Sequence, residues 1–187
     1  MQKRSHALLA SALLRCEGGF PARRYEWAFL FGSFQPDCNP LSYLKGSLRG
    51  KKFGGHTYAN NRPYLERRIR RLRERARLNL WDYYTLGKLT HYVADAFTWP
   101  HNPTFPAWGW AHHTYENALR ERLRTYLDGR PLRRRKLFRD LPEKLEDLHE
   151  RYLSGESGVD RDIRYIVTAN ELLMAGCLHK APHMSHM

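Results

Sequence analysis

Asn79-Leu-Trp-Asp-Tyr-Tyr-Thr-Leu-Gly-Lys-Leu-Thr-His91-Tyr-Val-Ala-Asp95-Ala-Phe-Thr-Trp-Pro-His101 reads as one helix with a start, a buried body and a stop. Asn79 is an N-cap type whose side chain can accept from the first free amides, and Asp82 suits the positive end of a helix dipole. The spacing predicts a helix over 80–97, which Pro100 helps to end. Leu86, Leu89, Tyr92, Val93, Ala96, Phe97 and Trp99 surround His91 and Asp95, which project from one helical face. A lone carboxylate in such apolar company is costly, so Asp95 needs a partner.

His101, just past Trp99-Pro100, can swing around the end of that helix. His112 and Glu116 repeat the His91–Asp95 spacing further on. Each pair forms a two-toothed clamp of one imidazole nitrogen and one carboxylate oxygen. Such donors suit Zn²⁺, and a catalytic zinc keeps a position open for water. The competing accounts are a buried His–Asp hydrogen bond without metal and ordinary pairs on solvated helix faces. Two clamps with a histidine between them favour ligation. Asp37, in Gly32-Ser-Phe-Gln-Pro-Asp37-Cys-Asn-Pro, and His56, in Phe53-Gly-Gly-His56-Thr-Tyr, stand on expected turns beside glycine or proline. His6 lies on the first helix; singly, each of these three reads equally as a turn-capping or surface residue.

Outward from residues 79–101 the pattern stays helical. A first helix over 5–16 ends at Gly18-Gly19, and a second over 23–31 stops near Gly32-Ser33. Residues 34–55 form an irregular stretch rich in Pro and Gly. A third helix starts at Pro63 and runs to about Ala76. A further helix covers 110–127, one interrupted near Pro142 covers 131–153, and the last covers 160–178. The fold class expected is all-α: a single-domain bundle of about six or seven helices over residues 1–180, with a flexible tail at 181–187.

At 187 residues the chain can bury a sizeable core, and 42% hydrophobic content with 13% aromatics excludes a disordered chain. No apolar run approaches the ~20 residues that span a bilayer. Residues 7–14 follow Lys3 and Arg4 like a short signal segment, but they run into Arg15 and Glu17 without a cleavage site. The expected location is therefore cytoplasmic, peripheral to a membrane if it meets one. Cys16, Cys38 and Cys177 are odd in number and widely spaced, so no disulfide framework is implied, and Cys38 is expected to pack. The net charge of +13 gathers in residues 67–77 and 130–136. It could draw nucleic acid, an anionic membrane surface or a phosphate-bearing substrate, with solvated helix faces as the plain alternative. No zinc-finger spacing or Gly-aromatic RNA-binding signature accompanies it.

His6, the Pro36-Asp37 turn, Gly55-His56, His91-x3-Asp95-x5-His101 and His112-x3-Glu116 stand in an order that resembles the zinc-dependent phospholipase C family over roughly residues 4–118. That family shares its fold with the fungal single-strand nucleases. The resemblance implies one zinc on Asp37, His56, His91 and Asp95, and a second on His101, His112 and Glu116. Asp95 would bridge to a third, held by His6 and, in secreted members, by the amine and carbonyl of the mature N-terminal residue. In this chain the amine would need a tight turn to reach such a site, so two or three Zn²⁺ ions are expected. Asp37 is the implied catalytic residue, orienting or deprotonating the attacking water. Family spacing favours His112 over the adjoining His113, and His179, His183 and His186 in the tail are not ligands.

The resemblance implies a zinc-dependent phosphoester hydrolase, cleaving a phosphodiester with a metal-activated water and acting on phospholipid. Two other readings stay open: a nuclease or nucleotidase on the same metals, and a non-catalytic basic helical module binding nucleic acid or anionic membrane. Tyr58, Phe97, Trp99, Phe105, Trp108 and Trp110 could line a headgroup or acyl pocket, or simply pack.

Overall fold

The computed structural model describes residues 1–38, 58–102, 110–136 and 138–178. Among them are seven α-helices: α1 (Lys3–Glu17), α2 (Arg23–Cys38), α3 (Tyr58–Glu74), α4 (Leu80–Ala96), α5 (Trp110–Gly129), α6 (Leu141–Leu153) and α7 (Val159–Leu178). A short 3-10 helix, Trp99–His101, follows α4. The described residues contain no strand, and no helix among them is long and apolar enough to cross a membrane. The chain is all-α, as its periodicity requires.

Helix α4 is the axis of the bundle, packed by α1, α2, α3 and α7. Asn79 Oδ1 accepts from the amides of Trp81 at 2.9 Å and Asp82 at 3.1 Å, and Asp82 Oδ2 accepts from the Asn79 amide at 2.9 Å. This reciprocal cap satisfies donors that the first turn leaves free. Beyond it the helix is enclosed: Leu86, Leu89, Ala94 and Ala96 are fully buried, and so are the polar His91 and Asp95. From Leu89 onward the helix is buried on all sides and carries no solvated stripe to absorb those two residues. Their environment is set by whatever packs over them.

Helix α2 supplies most of that cover, running in the same direction as α4. Tyr25 stacks on Tyr83 with centroids 4.7 Å apart, and about two turns further on the Ser33 carbonyl meets His91 Nδ1 at 2.9 Å. Two glycines allow the approach. A Cβ on Gly32 would overlap the Tyr84 carbonyl, and one on Gly87 would overlap the Phe29 carbonyl and stand 2.9 Å from the Ser33 amide.

This close packing corrects one expectation. Gly32-Ser33 does not stop the second helix; Gly32 is there because the neighbouring backbone leaves no room for a side chain. The helix continues through Pro36 to Cys38, so Asp37 lies in its last turn and not on a loop. Helix α3 likewise begins at Tyr58, ahead of Pro63. The expected helix over 131–153 is shorter than its pattern, starting at Leu141 with Pro142 in its first turn, where a missing N–H costs nothing. The basic residues before it are an extended strap. The Arg133 amide and Arg135 Nε bond Glu171 at 2.7 and 2.6 Å, and Arg134 bonds the Glu17 carbonyl at 2.6 Å. Part of the second basic run is thus tied to α7 and α1. The tail at 181–187 and residues 39–57 lie outside the described residues.

Gly87→Ala tests the α2–α4 approach. In an open helix alanine would stabilise by ~1 kcal/mol over glycine. Here the methyl must displace backbone, and the expected outcome in chemical denaturation is a loss of about 1–3 kcal/mol. An unchanged or raised midpoint would show that the two helices do not meet at this point.

Candidate metal centre

The C-terminal ends of α2 and α4, the N-terminus of α1, the 3-10 turn and the first turns of α5 meet at one place. Each contributes chemistry there. Asp95 lies at the middle, with Oδ1 2.6 Å from the Met1 amine and 3.2 Å from His6 Nε2, and Oδ2 3.2 Å from His91 Nε2. Asp37 reaches the same cluster, 3.5 Å from His91 Nε2 and 3.9 Å from His6 Nε2. On the other side Glu116 Oε1 stands 3.3 Å from His101 Nε2, 3.2 Å from His112 Nε2 and 3.1 Å from the amine. The amine also lies 2.8 Å from His101 Nε2.

Two sets of donors result, His6 with His91 and Asp95, and His101 with His112 and Glu116, the donor atoms of each set lying within 4.8 Å of one another. The first set is a sealed floor, its side chains no more than 1% exposed. The rim is open: the side chains of Asp37, His101, His112 and Glu116 keep between 12 and 30% of their surface. Among the described residues, the exposed side of the cluster is therefore the rim.

Protonation states follow from the surroundings. Burial, with the His91 ring beside it, pushes His6 down to about 3, so its imidazole is neutral near pH 7. Burial and the amine also lower His101, against the pull of Asp95 and Glu116. Burial alone would raise Asp95, but the amine, His101, His91 and His6 together hold it well below the usual carboxylate range. Glu116, likewise opposed by burial, is drawn down to about 2 by the His101 hydrogen bond and the amine. Neutral imidazoles beside ionised carboxylates are the states in which these groups ligate metal.

The donor set fits a divalent cation on two further observations. The carbonyl of Ser33 can only accept, so His91 donates from Nδ1 and its Nε2 faces the oxygens of Asp37 and Asp95. Neither ring nitrogen of buried His6 makes a hydrogen bond, although Nε2 faces Asp95 Oδ1. A divalent cation lying between these nitrogens and the carboxylate oxygens would satisfy both.

The supports around these groups were not visible in the spacing. Asp162, fully buried on α7, accepts from the Trp99 amide at 2.8 Å, the Tyr115 hydroxyl at 2.9 Å and the Tyr152 hydroxyl at 2.8 Å. It therefore ties the turn bearing His101 to the residue beside Glu116. Asn102 Nδ2 donates to the carbonyls of Ala96 and Thr98, and His149 Nε2 lies 3.1 Å from the same Ala96 carbonyl, closing the end of α4. Met1 is held by its own buried side chain and by Gln2, which donates to Asn117 at 2.7 Å and accepts from Arg120 at 3.0 Å. In sequence Asp162 looks like an ordinary acidic residue in a helix's first turn, and nothing marks Gln2.

Of the residues singled out in the sequence, His6, Asp37, His91, Asp95, His101, His112 and Glu116 are brought together, and His56 lies outside the described residues. The amine needs no tight turn to join them, because little more than one helical turn separates Met1 from His6. His113, exposed, bonds Asn117. Cys38, expected to pack, is exposed, because it ends α2 at the surface. Phe97 packs in the core, and Trp99 meets Tyr115 edge-on. Phe105 and Trp108 lie outside the described residues.

Among known proteins, a family model described as zinc-dependent phospholipase C matches residues 5–163. No curated protein and no solved structure matches the chain.

Asp162 generates a pH prediction. Burial pushes its carboxyl up to about 6, even though the Trp99 amide and both tyrosine hydroxyls pull the other way. A folded value above the unfolded one, about 4, means the stabilising contribution is present below pH ~4 and is lost as pH rises through ~6. Asp162→Asn cannot ionise. Between pH 4 and 7 the stability of this variant relative to the wild type should rise by about 2–3 kcal/mol in urea titrations. A pH-independent difference would show that Asp162 titrates normally.

Proposed function

This chain belongs to the zinc-dependent phospholipase C family, and we propose that it hydrolyses the phosphodiester bond of a phospholipid at the centre just described. Membership makes it a zinc-dependent hydrolase; the phospholipid bond and the residue roles are our reading. The observation that carries it is the convergence of four imidazoles and three carboxylates in one cluster with a partly exposed rim. A charged cluster of that density is uneconomical as a purely structural feature, since each buried carboxylate must be compensated.

His6, His91, Asp95 and Asp37, with His56 as the family pattern adds it, would hold one part of the zinc cluster, and His101, His112 and Glu116 the other. Asp95 would bridge, because Oδ2 faces His91 while Oδ1 faces His6, the amine and, at 3.8 Å, His101 of the other part. The amine of Met1 sits between Asp95, His101 and Glu116; against burial, the two carboxylates hold it above its ordinary pKa, so it would have to give up a proton before adding a nitrogen donor. Two or three ions fit this donor count. Bound zinc would supply Lewis acidity toward phosphoryl oxygens and lower the pKa of water.

The chain's own residues supply the rest. Asp37 stands at the rim with part of its surface open, placed to orient a water and take its proton. The sealed floor of His6, His91 and Asp95 keeps bulk water from the other side, so displacement at phosphorus proceeds from the rim alone. Ser33 fixes the His91 tautomer, and Asp162 fixes the turn that carries His101.

Metal analysis of untagged protein should find at least two zinc ions per chain, and phosphatidylcholine should be turned over in preference to single-stranded DNA. Protein without stoichiometric zinc would refute the reading; preference for DNA would move it to a nuclease. Asp95→Asn should lose more zinc than His112→Ala, and lower activity by more than about 100-fold, because Asp95 meets both donor sets. Equal losses in the two variants would remove Asp95 from its bridging role. Residues added ahead of Met1 replace the amine with an amide, which has no lone pair to donate. Native mass spectrometry should then show reduced zinc loading, and full loading would exclude the amine as a donor.

A further inference from the structure

Four aromatic side chains form a continuous strip on the outer side of α2 and α4. Trp81 meets Tyr84 edge-on at 6.0 Å, Tyr84 stacks on Phe31 at 6.0 Å, and Phe31 meets Phe34 edge-on at 5.6 Å. Trp81 is 72% exposed and Phe31 53%, and their neighbours Trp27 and Leu80 are 69% and 41% exposed. Scattered apolar residues on a surface need no explanation, but a connected patch of large ones does. These residues do not help build the core, because the face of α2 that meets α4 carries Phe29, Gly32 and Ser33.

Cations frame the strip. Lys88 Nζ lies 5.8 Å from the Tyr84 ring and 5.6 Å from Tyr64, and Lys3 Nζ lies 5.0 Å from Phe34. On the α3 side a groove is lined by Arg68, Arg71 and Arg75 together with Trp81. Guanidinium groups and an exposed indole therefore share one wall. Indoles settle at the boundary between headgroups and acyl chains, while arginines stay among the phosphates. The strip ends at Phe34, one turn before Asp37 on the same helix. Trp27 is about 15 Å from Asp37 along α2 at 1.5 Å per residue, within reach of one membrane face.

We propose that Phe31, Trp81 and Trp27, framed by Arg68, Arg71 and Lys88, are the surface by which this protein docks on an anionic phospholipid bilayer. The proposal rests on the phospholipid substrate inferred above and adds how that substrate is met: at an interface, with α2 leading from the bilayer to the rim of the centre. Nucleic acid is the less suitable partner. Leu80 and Phe31 offer apolar bulk that fits acyl chains and has nothing to pair with in a phosphate backbone.

The test uses the full chain and vesicles of phosphatidylcholine with or without phosphatidylglycerol. Wild type should sediment with the phosphatidylglycerol vesicles, and less so as salt rises. Phe31→Ala/Trp81→Ala should weaken that binding by about tenfold or more and lower turnover of vesicle lipid in step. Its hydrolysis of a soluble phosphodiester, p-nitrophenylphosphocholine, should stay at the wild-type level. Arg71→Glu tests the same face should the aromatic variant fail to fold, with a loss of about fivefold or more expected. Wild type that ignores the vesicles, or variants that bind them as wild type does, would overturn the proposal. So would loss of single-stranded DNA binding in the variants without any vesicle binding by wild type. Vesicle binding without turnover of any phosphodiester would instead refute the hydrolase reading and leave the docking face standing.

Discussion

A carboxylate sealed inside a helical bundle sets the terms for this protein. Asp95 is buried, held ionised, and answered by an amine and three imidazoles, each from a different part of the chain. The cost of an uncompensated charge there would reach several kcal/mol. The fold must therefore deliver compensating groups to one point, and its most closely packed helix pair, α2 and α4, ends there. Helices α1, α2, α4 and the 3-10 turn all end or begin beside Asp95. Their remaining lengths build the ordinary apolar core.

Rigidity comes from contacts between backbones and from buried hydrogen bonds more than from bulk. At Gly32 and Gly87 the backbones of α2 and α4 touch, which puts the Ser33 carbonyl on His91 and Asp37 within reach of the cluster. Asp162 does comparable work from α7, holding the Trp99 amide and Tyr115 with one side chain. Such supports hold the imidazoles and carboxylates of the cluster in place, as a site that must position reacting groups to a few tenths of an ångström requires. The sealed floor and open rim then decide the direction from which a substrate enters. Outside the pocket, the aromatic strip lies along the helix that ends at Asp37, so the same element serves the interior and the surface.

Much of the fold was legible because its signals are local. Asn79, Asp82 and Pro100 bracket α4, and the donors on α4 and α5 repeat at the helical interval. The misreadings share a cause. Gly32-Ser33 carries the composition of a helix stop, yet glycine there answers to the Tyr84 backbone, a neighbour distant in sequence. The run 131–136 has the composition of a helix, but Glu171 on α7 and the carbonyls ending α1 hold it extended. In both cases tertiary contacts outweigh propensities of about 1 kcal/mol or less per residue.

By itself the sequence determined the helical class and the pairing of His91 with Asp95 and of His112 with Glu116 at i and i+4, since these depend on helical period alone. Only the tertiary structure decided that Met1, Gln2, Ser33 and Asp162 belong to the same neighbourhood. It also decided which carboxylate lies at the middle and which side of the cluster is open. The physical reason is range. Spacing along a helix is set within one or two turns, whereas desolvation, tautomer and access depend on atoms that the chain brings together from far apart.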